Sequence, residues 1–157
     1  SPNCQRMLMC AGNTAKIAEL LSRGADLEGN DTSGRTAVIN ASWRGRTEVV
    51  DLLVELGADF NVTDYDGRTA VSWAASNGHN DIVQKLVEAG ARTNVVDGDG
   101  LTPLMRAAWN GHDTIVRLLI ESGARASMKD ENGKSALDYA FEGKHLDVVR
   151  TLRSFGA

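Results

Sequence analysis

The 157-residue sequence predicts an all-α solenoid of about five stacked helix–turn–helix units with hairpin-like loops. Three observations carry that expectation. The pair Gly-Ala returns every 33 residues, at Gly24-Ala25, Gly57-Ala58, Gly90-Ala91, Gly123-Ala124 and Gly156-Ala157, without insertion or deletion. An Asp-x-x-Gly run returns at the same period, beginning at Asp31, Asp64, Asp97 and Asp130. Between them lie amphipathic segments such as Val49-Val50/Leu52-Leu53 and Ile115-Val116/Leu118-Leu119, each with one wide apolar face. No single unit can bury such a face alone, so the units must stack.

The period divides one domain, 1–157, into a partial unit (1–30), three full units (31–63, 64–96 and 97–129) and a terminal unit (130–157). The first unit lacks the Asp-x-x-Gly opening, and its first helix is hard to place. Each later unit opens on a turn, where the Asp side chain bonds nearby backbone N–H groups and Gly34, Gly67, Gly100 or Gly133 takes positive φ. Thr36, Thr69, Thr102 and Ser135 are the expected N-caps of the first helices, and Pro103 falls at a first helical position. Those helices carry small residues, Ala41, Ala74-Ala75, Ala107-Ala108 and Ala140, which permit close packing. Gly45, Gly78 and Gly111 make the turn to the second helix, and Gly57, Gly90 and Gly123 end it in the left-handed conformation. Arg153 stands where earlier units have Val54, Val87 and Ile120, so the last unit is expected to be a C-terminal cap.

Thr102-Pro103-Leu104, Ala107-Ala108, Gly111-His112 and Ile115-Val116 through Gly123-Ala124 closely resemble the motif of ankyrin repeats, and the likeness covers nearly the whole chain. One position departs from it. The family motif has His three residues after its Thr, where this chain has Ile39, Ser72, Met105 and Asp138. The loop ties that this His makes in the family are therefore not implied here.

Several function classes are argued against. A net charge of −4, from 17 basic and 21 acidic residues, does not suit a nucleic-acid partner. No run of about 18 apolar residues is present, so membrane insertion is not expected. Cys4 and Cys10, six residues apart, face about 240° apart on a helix, and two thiols without pairing geometry suit the cytoplasm or nucleus. His79, His112 and His145 recur at the repeat period, and units about 10 Å apart hold them beyond the reach of one metal ion. No nucleophile elbow and no phosphate-binding loop appears, so neither an enzyme nor a cofactor is expected.

Binding is the expectation that remains. Offsets i, i+3 and i+4 on the first helices give the stripes Asn40/Trp43/Arg44, Trp73/Ser76/Asn77, Arg106/Trp109/Asn110 and Tyr139/Glu142/Gly143. The ankyrin resemblance implies that this face lines a concave groove. All three tryptophans fall on it, and Trp, Tyr and Arg are enriched in binding hot spots. At about 10 Å per unit, Trp43, Trp73 and Trp109 form a stepped row about 20 Å long, with Ser76 and Asn77 as a notch. Arg44 and Arg106 are placed to stack on indoles or to hold a partner carboxylate. The loop tips, with Tyr65, Asp66, Arg68, Asp99 and Leu101, form a second surface, where Asp66 and Asp99 are expected to be free for a partner. Asn61 and Asn94 occupy the loop place where some ankyrin proteins resemble substrates of an asparagine hydroxylase; the simpler role for their amides is to satisfy loop backbone groups. The leading expectation is a non-catalytic protein–protein interaction module, monomeric on its own, that takes an extended peptide or a partner surface. A planar anionic, nucleotide-like ligand in the Trp/Arg groove and a rigid architectural spacer are the alternatives.

Overall fold

Turn and cap chemistry sets the element order. In this computed structural model, which describes residues 2–157 (side chains from residue 3), ten helices form five antiparallel pairs. The pairs are α1 (Pro2–Met9) with α2 (Thr14–Ser22), α3 (Ala37–Arg44) with α4 (Thr47–Glu55), α5 (Ala70–Asn77) with α6 (Asn80–Glu88), α7 (Pro103–Trp109) with α8 (Asp113–Glu121), and α9 (Ala136–Glu142) with α10 (Leu146–Ser154). The hydroxyls of Thr36, Thr69, Thr102 and Ser135 cap α3, α5, α7 and α9, each accepting the backbone N–H three residues on. The helix that the sequence left unplaced is α1, and Asn13 caps α2 through the N–H of Lys16 at 2.9 Å.

Small residues and branched residues divide the work of stacking. Ala74, Ala75, Ala107, Ala108 and Ala140 are fully buried, which lets α5, α7 and α9 pack side by side. Behind them the second helices bury Val49, Val50 and Leu53; Ile82, Val83 and Leu86; Ile115, Val116 and Leu119; and Val148, Val149 and Leu152. Full burial of one such side chain stabilises by about 2 kcal/mol.

The turn between paired helices needs a left-handed residue. Gly78 takes it at φ 78°, and a Cβ there would meet the His112 ring at 2.7 Å. The last unit differs: Gly143 keeps φ −78°, and Lys144 takes the left-handed conformation at φ 60°. A non-glycine residue is strained there by roughly 1–2 kcal/mol.

Three hydrogen-bond ladders join neighbouring units. His79, His112 and His145 each place Nε2, as donor, 2.9–3.0 Å from the carbonyls of Trp43, Ser76 and Trp109. Arg46 does the same work one unit earlier, donating to the carbonyls of Cys10 and Ala11 at 2.8 and 2.9 Å. Glu28, Asn61 and Asn94 accept the N–H groups of Asp59, Arg92 and Arg125, each at 2.9 Å. Loop backbones bond directly as well, Tyr65 N to Ser33 O and Gly98 N to Asp66 O.

Candidate partner-binding groove

The turn aspartates tie each loop to the first helix of its own unit. In each of the last four units Oδ1 accepts two N–H groups of its own loop: Ser33 and Arg35 at Asp31, Asp66 and Arg68 at Asp64, Asp99 and Leu101 at Asp97, and Asn132 and Lys134 at Asp130. Oδ2 then accepts from the residue nine positions on, which belongs to the first helix. The donor changes from unit to unit. Asn40 Nδ2 reaches Asp31 at 3.3 Å, Trp73 Nε1 reaches Asp64 at 2.8 Å, Arg106 Nε reaches Asp97 at 2.9 Å, and the Tyr139 hydroxyl reaches Asp130. That bond, first among its causes, holds the Asp130 carboxyl below the usual carboxylate range. Burial and then the same bond push the Tyr139 phenol up to about 12.

This geometry alters the expected roles along that column. Asn40 and Tyr139 are buried, at 4 % and 8 % exposure, and their polar groups are engaged within their own units. Trp73 is half-buried, its N–H committed to Asp64 and its ring sandwiched by Arg35 at 4.8 Å and Arg68 at 3.6 Å. Arg35 also lies 4.7 Å from the Trp43 ring, and Arg44 covers that ring at 5.5 Å. The aromatic row is therefore two pairs. Trp43 and Trp73 have ring centroids 6.0 Å apart, and Trp109 meets the Tyr139 ring edge at 5.1 Å. Arg106 and Ser76 separate them. Asn77 and Asn110, expected to face a partner, give their amides to the carbonyls of Trp43 and Ser76, each at 3.0 Å. Asp99 is not free as expected, because Oδ2 accepts from Arg106 Nη2 at 2.9 Å. The Asp66 carboxylate has no hydrogen-bond or ion-pair partner among the described residues.

What remains open is a furrow between loop tips and first helices. One stretch of about 540 Å³ is lined by Ser76, Leu101, Arg106, Trp109, Asn110 and Tyr139, with Asp99, Asp130 and Asn132 on its loop side. Asp99 and Arg106 also line an adjoining stretch of about 410 Å³, with Tyr65, Asp66, Arg68 and Trp73. Trp43 and Asn77 line neither stretch. Trp109 is 47 % exposed and Tyr65 is 74 % exposed, its ring seated against Gly34. A third hollow, of about 820 Å³, lies between α1 and the first loop and includes Arg6, Met9, Cys10, Asn40 and Arg44. Sequence reasoning missed it because α1 had no recognisable opening. It also missed Arg35 as a stacking residue, and it missed the constant Asp-to-donor spacing of nine, which was there to read.

Among the described residues no group of three or more His, Cys, Asp or Glu side chains is arranged to hold a metal ion. Cys4 is buried and Cys10 exposed. No described helix is long and apolar enough to cross a membrane.

The helix pairing, the loop turns and the inter-unit ladders agree with a family comparison. A model of ankyrin repeats, in three copies, matches residues 6–97 and 72–157. The chain belongs to the ankyrin-repeat family. A search of curated proteins finds no match to it. Ankyrin repeats are in general protein-binding, non-catalytic modules.

Proposed function

We propose that this ankyrin array is a non-catalytic adaptor that receives an extended segment of a partner protein along the furrow between its loop tips and first helices. Exposed Trp109 carries the reading. A large aromatic side chain stands half in solvent, packed edge-to-face with Tyr139, on the larger of the two stretches of furrow. An anchor held in one geometry loses little rotamer freedom on binding, the usual property of a hot spot. We place the protein in a reducing compartment, cytoplasm or nucleus, as a monomer.

The test is affinity capture from lysate with the intact chain and with Trp109→Ala, after circular dichroism and a melt show the variant folded. A partner held by the intact chain and lost by the variant is the expected result. Equal retention by both would remove the furrow from the account. A melt with ATP separates the small-ligand alternative, which requires the melting temperature to rise with nucleotide concentration; no rise is expected.

A further inference from the structure

The residue before each first-helix N-cap is Arg35, Arg68, Leu101 or Lys134. Two of the three cations have an acidic partner: Arg35 Nε lies 3.7 Å from Asp64 Oδ2, and Lys134 Nζ lies 2.6 Å from Glu142 Oε1. Arg68 has no carboxylate within ion-pair distance among the described residues, yet it is the most buried of the three, at 8 % exposure. Its Nε and Nη2 donate to Ser72 Oγ and O, both at 3.2 Å, and its guanidinium covers Trp73. Nη1 has no acceptor among the described residues, and Arg68 lines the smaller stretch of furrow. Arg106 lines the same stretch and commits only Nε and Nη2, to Asp97 and Asp99.

Two guanidinium groups thus share one recess, each with a terminal nitrogen to spare. Burial and then the charge of Arg106 draw Arg68 down to about 10, against the opposing pull of Asp97, Asp64 and Asp66, none of which lies within ion-pair distance of it. A buried cation is costly until an anion with good hydrogen-bond geometry reaches it. We propose that this recess accepts a carboxylate side chain, Asp or Glu, of the segment bound in the furrow, through the unused Nη1 groups of Arg68 and Arg106. The inference rests on the furrow reading above. A monoanion fits better than a phosphate, since two acids already flank the recess and each arginine offers a single nitrogen. Of those acids, Asp99 is paired with Arg106, whereas Asp66 has no ion-pair partner among the described residues and acts on Arg68 through space, so an entering carboxylate competes with Asp66.

The probe is the capped peptide Gly-Gly-Glu-Gly-Gly, titrated into the ¹⁵N-labelled chain while the arginine Nε–H signals are followed. Saturable shifts of the Arg68 and Arg106 signals are expected, with the Gln counterpart binding at least about tenfold more weakly. Arg68→Leu should abolish the response; Leu101 fills the same place in the next unit, so the fold accepts it. Should that variant unfold, Arg68→Lys should keep a weakened response. Asp66→Asn should tighten binding several-fold. An equal response to Gln, no saturable shift at all, or the same signals moved by a Lys peptide would overturn the assignment. Loss of partner capture in Trp109→Ala beside a silent Glu peptide would leave the furrow standing and remove this recess alone.

Discussion

The second and third units and the fourth and fifth units use the same columns for different ends. In the first pair, Trp43 and Trp73 are interleaved with Arg44, Arg35 and Arg68, so indole faces meet guanidinium groups instead of solvent. In the second pair, Arg106 turns away to two aspartates, Leu101 replaces the stacking arginine, and Trp109 keeps 47 % of its surface exposed. One half of the face has its tryptophans covered by arginines, with a recess left open beside Arg68 and Trp73. The other is left unfinished. The comparison teaches that an aromatic residue on a repeat's binding stripe is defined by the loop residue above it, not by its own position.

That contrast can be broken by substitution. The largest effect expected is at Trp73, where Trp73→Ala removes a half-buried ring and strands the Asp64 oxygen; it should destabilise by about 3 kcal/mol. Trp109→Ala should change stability by less than about 1 kcal/mol, because the ring is substantially exposed. Urea melts of the two variants measure the difference, and equal losses would erase the distinction between the halves. Next comes Arg35→Ala, which uncovers both indoles of the arginine-covered half and should cost about 1–2 kcal/mol by the same melts.

Acid should sharpen the comparison further. At Asp31 burial raises the pKa, but loop N–H groups, Asn40 and Arg35 outweigh it, and at Asp130 the Tyr139 hydroxyl leads the lowering; both end below the ordinary 3.8. A carboxyl with a depressed folded-state pKa contributes stability that is complete above its unfolded value and is lost as pH falls through the folded one. Stability should therefore decline below about pH 4, and Tyr139→Phe should make the decline shallower. Urea midpoints taken down the pH scale report both. The smallest effect expected is a gain: Lys144→Gly relieves a left-handed lysine and should raise stability by roughly 0.5–1 kcal/mol in a thermal melt.

The architecture was legible because it depends on residues that act alone. Thr36 and Thr69 cap helices, Gly78 turns left-handed, and Leu86 is buried, whatever their neighbours are. The furrow was legible only as a stripe. Which members of that stripe face solvent depends on partners 9 or 34 residues away, as with Trp73 on Asp64 and Asn77 on the Trp43 carbonyl. Donors as unlike as Asn40, Trp73, Arg106 and Tyr139 serve one acceptor geometry, so a search for like residues passes over them. The α1 helix was illegible for the opposite reason, since its unit lacks the turn that announces the others.

The proposed partner segment is anchored at Trp109 in the furrow, and site-directed photocrosslinking reads where it lies. A photoreactive residue placed at Asn132, beside the larger of the two stretches of furrow, is compared with one at exposed Gln84 on α6. The account predicts a partner adduct from position 132 and none from position 84. An adduct from Gln84 with none from Asn132 would contradict it and move binding to the outer helices.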